Sequence, residues 1–360
     1  MWIIEYEQQM FGPDHTLETM DKAAELKNKH MPDVLYKYRG VSQNTLEALR
    51  NDFLFSSQPQ EFNDIFEGSI TLQKPAIVAN LYRKLYADAR RRYPFLPDKV
   101  VTSHKEFIES TVQPFGGTYE EVTQDSLLSS VLTMIEELMN GRMDKDIAWI
   151  QNYARNMYNI CCFSAESNNE LMWAHYADQH KGFCVGYSIK ELNNDLTHLT
   201  LPVIYTKKCH VEINDWDDVD GSLCMHMLST KSPQWSYEKE WRTFFLPNPP
   251  CHKEIMPTPS VVYLGARISD KDAGAIYEIC KNKGIQVYKM MPSVEKHVLI
   301  PKISLGLLRS CQDSGVIDSV GIVVDLLAHL NSNDPLHSLQ WCIRQIADSP
   351  NPCFLQLFCS

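Results

Sequence analysis

The feature that most constrains the fold is a block of helical periodicity lying between two groups of strand-forming segments. From about residue 75 to residue 157, apolar residues recur at the spacing of amphipathic helices, with interruptions at prolines and glycines. Segments rich in β-forming residues precede this block at 34–39 and follow it at 158–164. This order favours an α+β fold with a mixed, largely antiparallel sheet and a helical insert.

The same pattern predicts how the 360 residues are organised. We expect a helical lead-in at residues 1–33, an α+β core at 34–303 that carries the insert at about 75–157, and a mainly helical appendage at 304–360. The sequence contains no GxGxxG or Walker-type loop, which argues against Rossmann and P-loop nucleotide binding.

The net charge and the cysteine spacing limit which binding partners and which cellular compartment are expected. The 34 basic and 45 acidic side chains give a net charge of -11, which disfavours non-specific nucleic-acid binding. A dense basic cluster in the insert is the one place where such binding remains open, and it contains Arg83, Arg90, Arg91 and Arg92. The 11 cysteines lack regular spacing and indicate reduced thiols. With no export signal or membrane segment in the sequence, we expect a cytoplasmic protein.

Four segments are dense in aromatic and charged residues. They are Leu35-Tyr-Lys-Tyr-Arg-Gly40, Glu61-Phe-Asn-Asp-Ile-Phe-Glu67, Leu171-Met-Trp-Ala-His-Tyr-Ala-Asp178 with the following His180-Lys-Gly-Phe183, and Trp235-Ser-Tyr-Glu-Lys-Glu-Trp-Arg242. Together they resemble the uncharacterised bacterial family catalogued as domain of unknown function 2971, over roughly residues 35–290. That resemblance implies no activity.

The last segment carries the most chemical information. If residues 235–242 form a strand, then Glu238, Glu240 and Arg242 share one face because side chains alternate. In a cleft, the two carboxylates would have perturbed pKa values, as catalytic groups often do. On an exposed strand, they would form a charge ladder in which Arg242 neutralises a neighbouring carboxylate.

A second resemblance suggests a reaction. A strand with Tyr-Arg-Gly, a strand with Phe-x-Ser-Ser and a late strand with Glu-x-Glu are similar to the arginine, serine, glutamate pattern of ADP-ribosyltransferases. The resemblance implies that NAD is the substrate and that the acceptor is open. It implies that Arg39 holds the phosphates or the ribose, and that Ser56 or Ser57 braces the nicotinamide-side pocket. Tyr36 or Tyr38 would stack on the nicotinamide ring. Glu240 would bind the ribose hydroxyl and stabilise the developing positive charge, and Glu238 would orient the acceptor.

Two alternatives stay open. Asn63, Asp64 and Glu67, joined by the two later glutamates, are oxygen ligands of the kind that bind magnesium in a nuclease or phosphodiesterase. Because Asn-Asp is also ordinary turn chemistry, we expect no metal. The other alternative is a non-catalytic binding or regulatory protein. On the helix after Asn169, three candidate side chains more often form core than a ligand site; these are Trp173, His175 and Tyr176. Of these, His175 stays a candidate acid–base or acceptor-binding group.

Overall fold

The structure is a computed structural model that describes residues 2–12, 15–124, 126–192, 194–207, 211–213, 221–247 and 253–303. Within these ranges the chain is an α+β protein built on an eight-stranded, mixed and mostly antiparallel sheet, which confirms the predicted fold class. The predicted appendage at 304–360 lies outside the described residues. A search of the described helices found none with the length and apolar character needed to cross a membrane.

The chain divides into two compact units. Unit 1 contains residues 1–37, 51–167 and 187–257, and unit 2 contains residues 38–50, 168–186 and 258–360. The helices are α1 (Trp2–Phe11), α2 (Leu17–His30), α3 (Gln43–Arg50), α4 (Lys74–Arg92), α5 (His104–Val112), α6 (Tyr119–Gln124), α7 (Ser126–Met157), α8 (Glu170–Tyr176), α9 (Asn194–His198), α10 (Gly221–Ser229) and α11 (Asp270–Lys283).

The strands are short. They are β1 (Val34–Arg39), β2 (Phe53–Phe55), β3 (Ile70–Leu72), β4 (Asn159–Ser164), β5 (Phe183–Ser188), β6 (Thr200–Pro202), β7 (Ile204–Tyr205), β8 (Val211–Ile213), β9 (Thr230–Lys231), β10 (Glu240–Phe245), β11 (Lys253–Ile255), β12 (Val261–Leu264), β13 (Gln286–Pro292) and β14 (Leu299–Ile303). Helices α4 to α7 occupy the segment between β3 and β4, where the sequence places the helical insert.

Unit 1 is organised by strand β4, which pairs antiparallel with β1 on one side and with β10 on the other. Strand β10 pairs in turn with β6. Almost every side chain of β4 and β10 is buried, so both faces of these central strands are covered. The core beneath them includes Ile160 and Phe244 and continues onto α7 and α10 through Ala154 and Met227.

Unit 2 is organised by strand β12, which pairs antiparallel with β5 and parallel with β13. Helix α11 makes the crossover between the parallel strands. It begins at the cap Ser269, whose hydroxyl accepts the amide of Asp272, and ends at Gly284 with a φ of 68°. On α8, the fully buried Trp173 contacts the ring of Tyr38 edge-on at 5.3 Å, so this part of the aromatic stripe is core.

One predicted strand is shorter than expected. The sequence pattern places a strand from residue 235 to about 246, but residues Pro233–Glu238 form a 3-10 turn and β10 begins only at Glu240. Pro233 fixes φ and lacks an amide hydrogen, which suits the first position of such a turn. Lys239 then adopts the left-handed conformation with φ of 44°, which separates the turn from the strand.

Two glycines of unit 2 give a matched test of the packing. A Cβ at Gly182 would lie 2.1 Å from the carbonyl oxygen of Arg39 and 2.9 Å from that of Ala177, whereas a Cβ at Gly274 in α11 meets nothing within 4 Å. We expect Gly182→Ala to lower the free energy of unfolding by more than about 2 kcal/mol because backbone must move. Gly274→Ala should raise it by up to about 1 kcal/mol through helix propensity.

Urea unfolding followed by circular dichroism measures both changes. Equal stabilities for the two variants would contradict the close approach at Gly182.

Candidate functional site

The candidate site in unit 1 is centred on Arg242, a β10 side chain that is only 1% exposed. Its Nε donates to Oε1 of Glu240 at 3.0 Å and its Nη2 donates to Oε2 of the same carboxylate at 3.1 Å. Its Nη1 donates to Oε1 of Glu67 and to the carbonyl oxygen of Leu228. The guanidinium also lies 5.1 Å from the ring centroid of Phe62. A bidentate pair of this kind is both strong and geometrically specific.

A second buried cation, Lys231 on β9, joins the two glutamates of the late segment. Its Nζ lies 2.6 Å from Oε2 of Glu238 and 3.1 Å from Oε2 of Glu240. The same ammonium lies 4.8 Å from the ring centroid of Trp235. We call the five charged side chains Glu67, Lys231, Glu238, Glu240 and Arg242 the charge network.

The local backbone explains why both late glutamates reach one lysine. The left-handed Lys239 ends the 3-10 turn, and the hydroxyl of Ser164 on β4 fixes it by donating to the carbonyl oxygen of Glu238 at 2.7 Å. The amide of Glu240 donates to the hydroxyl oxygen of Tyr205 at 2.9 Å. The turn and the first residue of β10 are therefore held by separate hydrogen bonds.

The network sets the ionisation of Glu240. Burial alone would raise the pKa of this carboxyl, but the adjacent Arg242 and Lys231, with a hydrogen bond from Cys162, outweigh it and hold the pKa well below its usual range. Burial would likewise lower the pKa of Lys231, yet the carboxylates of Glu240 and Glu238 hold it above its usual range. The pair is therefore ionised at neutral pH.

Glu67 behaves in the opposite way. Burial raises the pKa of this carboxyl, and the attraction of Arg242 offsets only part of that rise. Glu67 is 3% exposed, and its Oε2 has no hydrogen-bond partner among the described residues. Three buried carboxyls face two cations, so one proton would balance the charges, and Glu67 takes it up more readily than Glu240.

A cavity of about 290 Å³ adjoins the network. Its lining residues are Asp64, Phe66, Thr206, Lys207, Thr230, Lys231, Ser232, Pro233 and Gln234. Asp64 is buried and its Oδ1 accepts the amide of Phe66 at 2.9 Å, a local turn that leaves the Phe66 ring half exposed. Hydroxyl groups, a second lysine and an exposed ring therefore face a space of small-ligand size next to ionised carboxylates.

The structure gathers part of the predicted site. Glu67, Glu238, Glu240 and Arg242 belong to the charge network, and Asp64 lines the cavity. Elsewhere in unit 1, Ser56 donates to Glu254 at 2.8 Å, Ser57 bridges the backbone of Ile160, Tyr36 pairs with Ser164, and Asn63 is exposed. Unit 2 contains Arg39, Tyr38, Trp173, His175 and Tyr176.

Three residues of the site are not found by sequence reasoning. Lys231 is one of many lysines, and the sequence places it only between an apolar helix and Trp235. Tyr205, on β7, accepts a hydrogen bond from the amide of Glu240. Cys162, on β4, lies near Glu240 because the strand register sets it opposite Arg242. The sequence signal for Lys231 is its position directly before Ser-Pro-x-Trp, and this signal is weak.

The carboxylates do not converge on an empty centre. Among the described residues, no group of three or more histidine, cysteine, aspartate or glutamate side chains is arranged to hold a metal ion. The oxygens of Glu238 and Glu240 instead contact Lys231 and Arg242. Both late glutamates therefore have cationic partners among the described residues.

Two isosteric substitutions should show opposite pH dependence. Because the pKa of Glu240 is lowered by folding, this carboxylate stabilises the fold above its unfolded pKa, and the contribution is lost as the pH falls. Glu240→Gln should therefore lower the free energy of unfolding at pH 7 by about 3–5 kcal/mol, and by less in acid. Urea unfolding at several pH values measures the difference from the parent protein.

Glu67→Gln should behave in the reverse sense. Because the pKa of Glu67 is raised by folding, its ionisation costs stability as the pH rises above the unfolded value. The variant should gain stability relative to the parent as the pH rises. Glu278→Gln, on the exposed side of α11, should show neither trend. The same pH slope for the substitutions at positions 67 and 240 would contradict the assignment of charges.

Comparison with known proteins gives one match. No curated protein and no solved structure matches the chain. The model of the family described as "Protein of unknown function (DUF2971)" matches residues 172–243, which include most of α8, Lys231 and all of residues 235–242. Over these residues the chain is similar to DUF2971, the family that its sequence motifs resemble.

Proposed function

We propose that the chain is an ADP-ribosyltransferase-like enzyme that uses NAD as its substrate and cleaves the bond between nicotinamide and ribose. The observation that carries the proposal is the position of Lys231. This residue lines the cavity, and its ammonium bonds both Glu238 and Glu240. A pair of ionised carboxylates therefore lies directly behind the wall of a ligand-sized space.

The chemistry needs a fixed anion. When the bond from the ribose carbon to the nicotinamide nitrogen breaks, the electron pair leaves with nicotinamide and positive charge develops on the ribose until a nucleophilic atom of the acceptor bonds to the same carbon. Preorganised negative charge in a site shielded from water stabilises that charge. The glutamate that the resemblance assigns to this role, Glu240, is the one whose pKa is held low by Arg242 and Lys231.

The cavity suits one end of the dinucleotide. About 290 Å³ is at the lower limit of ligand pockets and matches the nicotinamide riboside portion better than all of NAD. The Phe66 ring offers a surface for the pyridine ring, and Thr206, Thr230 and Ser232 offer hydroxyl groups for the ribose. Lys207 offers a cation for the adjoining phosphate.

The proposal rests on unit 1. The phosphate role that the resemblance gives to Arg39 is a separate prediction, because that residue belongs to unit 2. We place the activity in the cytoplasm, in keeping with the reduced state of the described cysteines Cys161, Cys162, Cys184, Cys224 and Cys280.

Nicotinamide release from NAD tests the proposal. We expect the full chain to release nicotinamide at the same rate with and without a chelator. Phe66→Ala and Lys207→Ala alter exposed side chains of the cavity, so they should raise the KM for NAD without changing the melting temperature. Glu240→Gln should lower kcat by about 100-fold or more, the cost of losing a stabilising group for developing charge.

Glu278→Gln is the matched control and should retain full activity. Thermal unfolding of each variant separates lost chemistry from lost structure. Absence of nicotinamide release by the folded parent protein would refute the proposal. Magnesium-dependent cleavage of nucleic acid, abolished by chelator, would replace it with the phosphodiesterase alternative.

A further inference from the structure

A strongly basic segment stands out in an otherwise acidic chain. Residues 74–105 contain 8 lysine and arginine residues against 2 aspartates, a formal charge of +6 within a chain of net charge -11. Three of the arginines, Arg90, Arg91 and Arg92, form the last turn of α4. Cations in the last turn of a helix interact favourably with the helix dipole. The three arginines can therefore be explained by helix stability alone, and a binding role needs further evidence.

An independent feature follows directly after these arginines. The rings of Tyr93, Phe95 and Phe115 are 53%, 58% and 77% exposed. They form a contact series, with centroids 6.0 Å apart for Tyr93 and Phe95 and 5.7 Å apart for Phe95 and Phe115. Exposed aromatic side chains gathered in this way mark an interaction surface.

The rings are not core residues that have failed to pack. The same segment has a core of its own, made by Tyr82, Tyr86, Leu96 and Val101. Leu96 is buried although it directly follows Phe95. The fold therefore buries one side of this loop and presents the aromatic rings on the other.

The arginines are available to an anion. Arg91 contacts Asp88 at 2.5 Å and Arg90 contacts Asp98 at 2.5 Å, but the side chains of Arg91, Asp88 and Asp98 are mostly exposed. Surface pairs of this kind contribute little free energy and exchange readily for a phosphate. Arg92 is also exposed.

We propose that the rings of Tyr93, Phe95 and Phe115, together with the neighbouring Arg90, Arg91 and Arg92, bind single-stranded nucleic acid. Unpaired bases stack on exposed rings, and arginines beside them neutralise the backbone. Duplexes present phosphates but no accessible base faces, so they do not use the rings. An acidic protein would likewise use the charges and leave three rings in contact with water.

Fluorescence anisotropy with labelled oligouridine tests the proposal on the full chain. We expect binding at low salt that weakens as salt rises, with a log–log slope of about -2 for roughly three phosphate contacts. Phe95→Ala and Phe115→Ala should each weaken binding by about fivefold or more at unchanged salt slope, because stacking is lost. Arg91→Glu with Arg92→Glu should weaken binding and also flatten the slope.

Matched controls are Leu17→Ala, another exposed apolar side chain, and Lys271→Glu, another exposed basic one. Both should bind oligouridine like the parent protein, and all six exposed substitutions should leave the melting temperature unchanged. A duplex of equal length should bind more weakly and without any effect of Phe95→Ala.

Three results would overturn the proposal. They are no binding of oligouridine at low salt, equal binding by the two phenylalanine variants and the parent, and sedimentation with phosphatidylserine vesicles in place of binding to oligouridine. Because none of the substituted residues lines the cavity, this outcome is independent of nicotinamide release.

Discussion

A guanidinium buried among carboxylates is the interaction on which unit 1 depends. Arg242 lies on a central strand with both faces covered, and the cost of removing its charge from water is offset only by excellent geometry. That geometry is supplied by the bidentate contact with Glu240 and by the contact with Glu67 from the loop before β3. One side chain thus ties the late strand to a loop about 175 residues earlier and fixes the charges behind the cavity.

The same network accounts for the chemistry we propose. Lys231 lines the cavity and is shared by two carboxylates, so Glu238 and Glu240 are held as its ion-pair partners behind the cavity wall. Glu67 is the carboxyl that takes up a proton to balance the excess negative charge, because burial raises its pKa and its second oxygen has no partner in the described part of the chain. Glu240 therefore stays ionised, whereas Glu67 is protonated more readily.

Sequence patterns predicted the fold class and the helical segment between β3 and β4. Residue spacing reveals such features because periodicity is local. It did not reveal that a 3-10 turn ends at Glu238, since the alternation of charges there imitates a strand. Nor did it identify Lys231, whose role arises from the pairing of β9 with β7 and from the fold of the turn after it. The exposed charge ladder is wrong, because Glu238, Glu240 and Arg242 are all buried.

The most direct test of the central claim is a double-mutant cycle for Arg242 and Glu240, measured by urea unfolding of the full chain. The account predicts that Arg242→Met and Glu240→Leu each lower the free energy of unfolding by about 3–5 kcal/mol, since each leaves a buried charge without its partner. The loss of unfolding free energy in the double variant should be smaller than the sum of the two single losses by at least about 2 kcal/mol. Costs that add to within about 0.5 kcal/mol would show that the two residues act independently and would contradict the account.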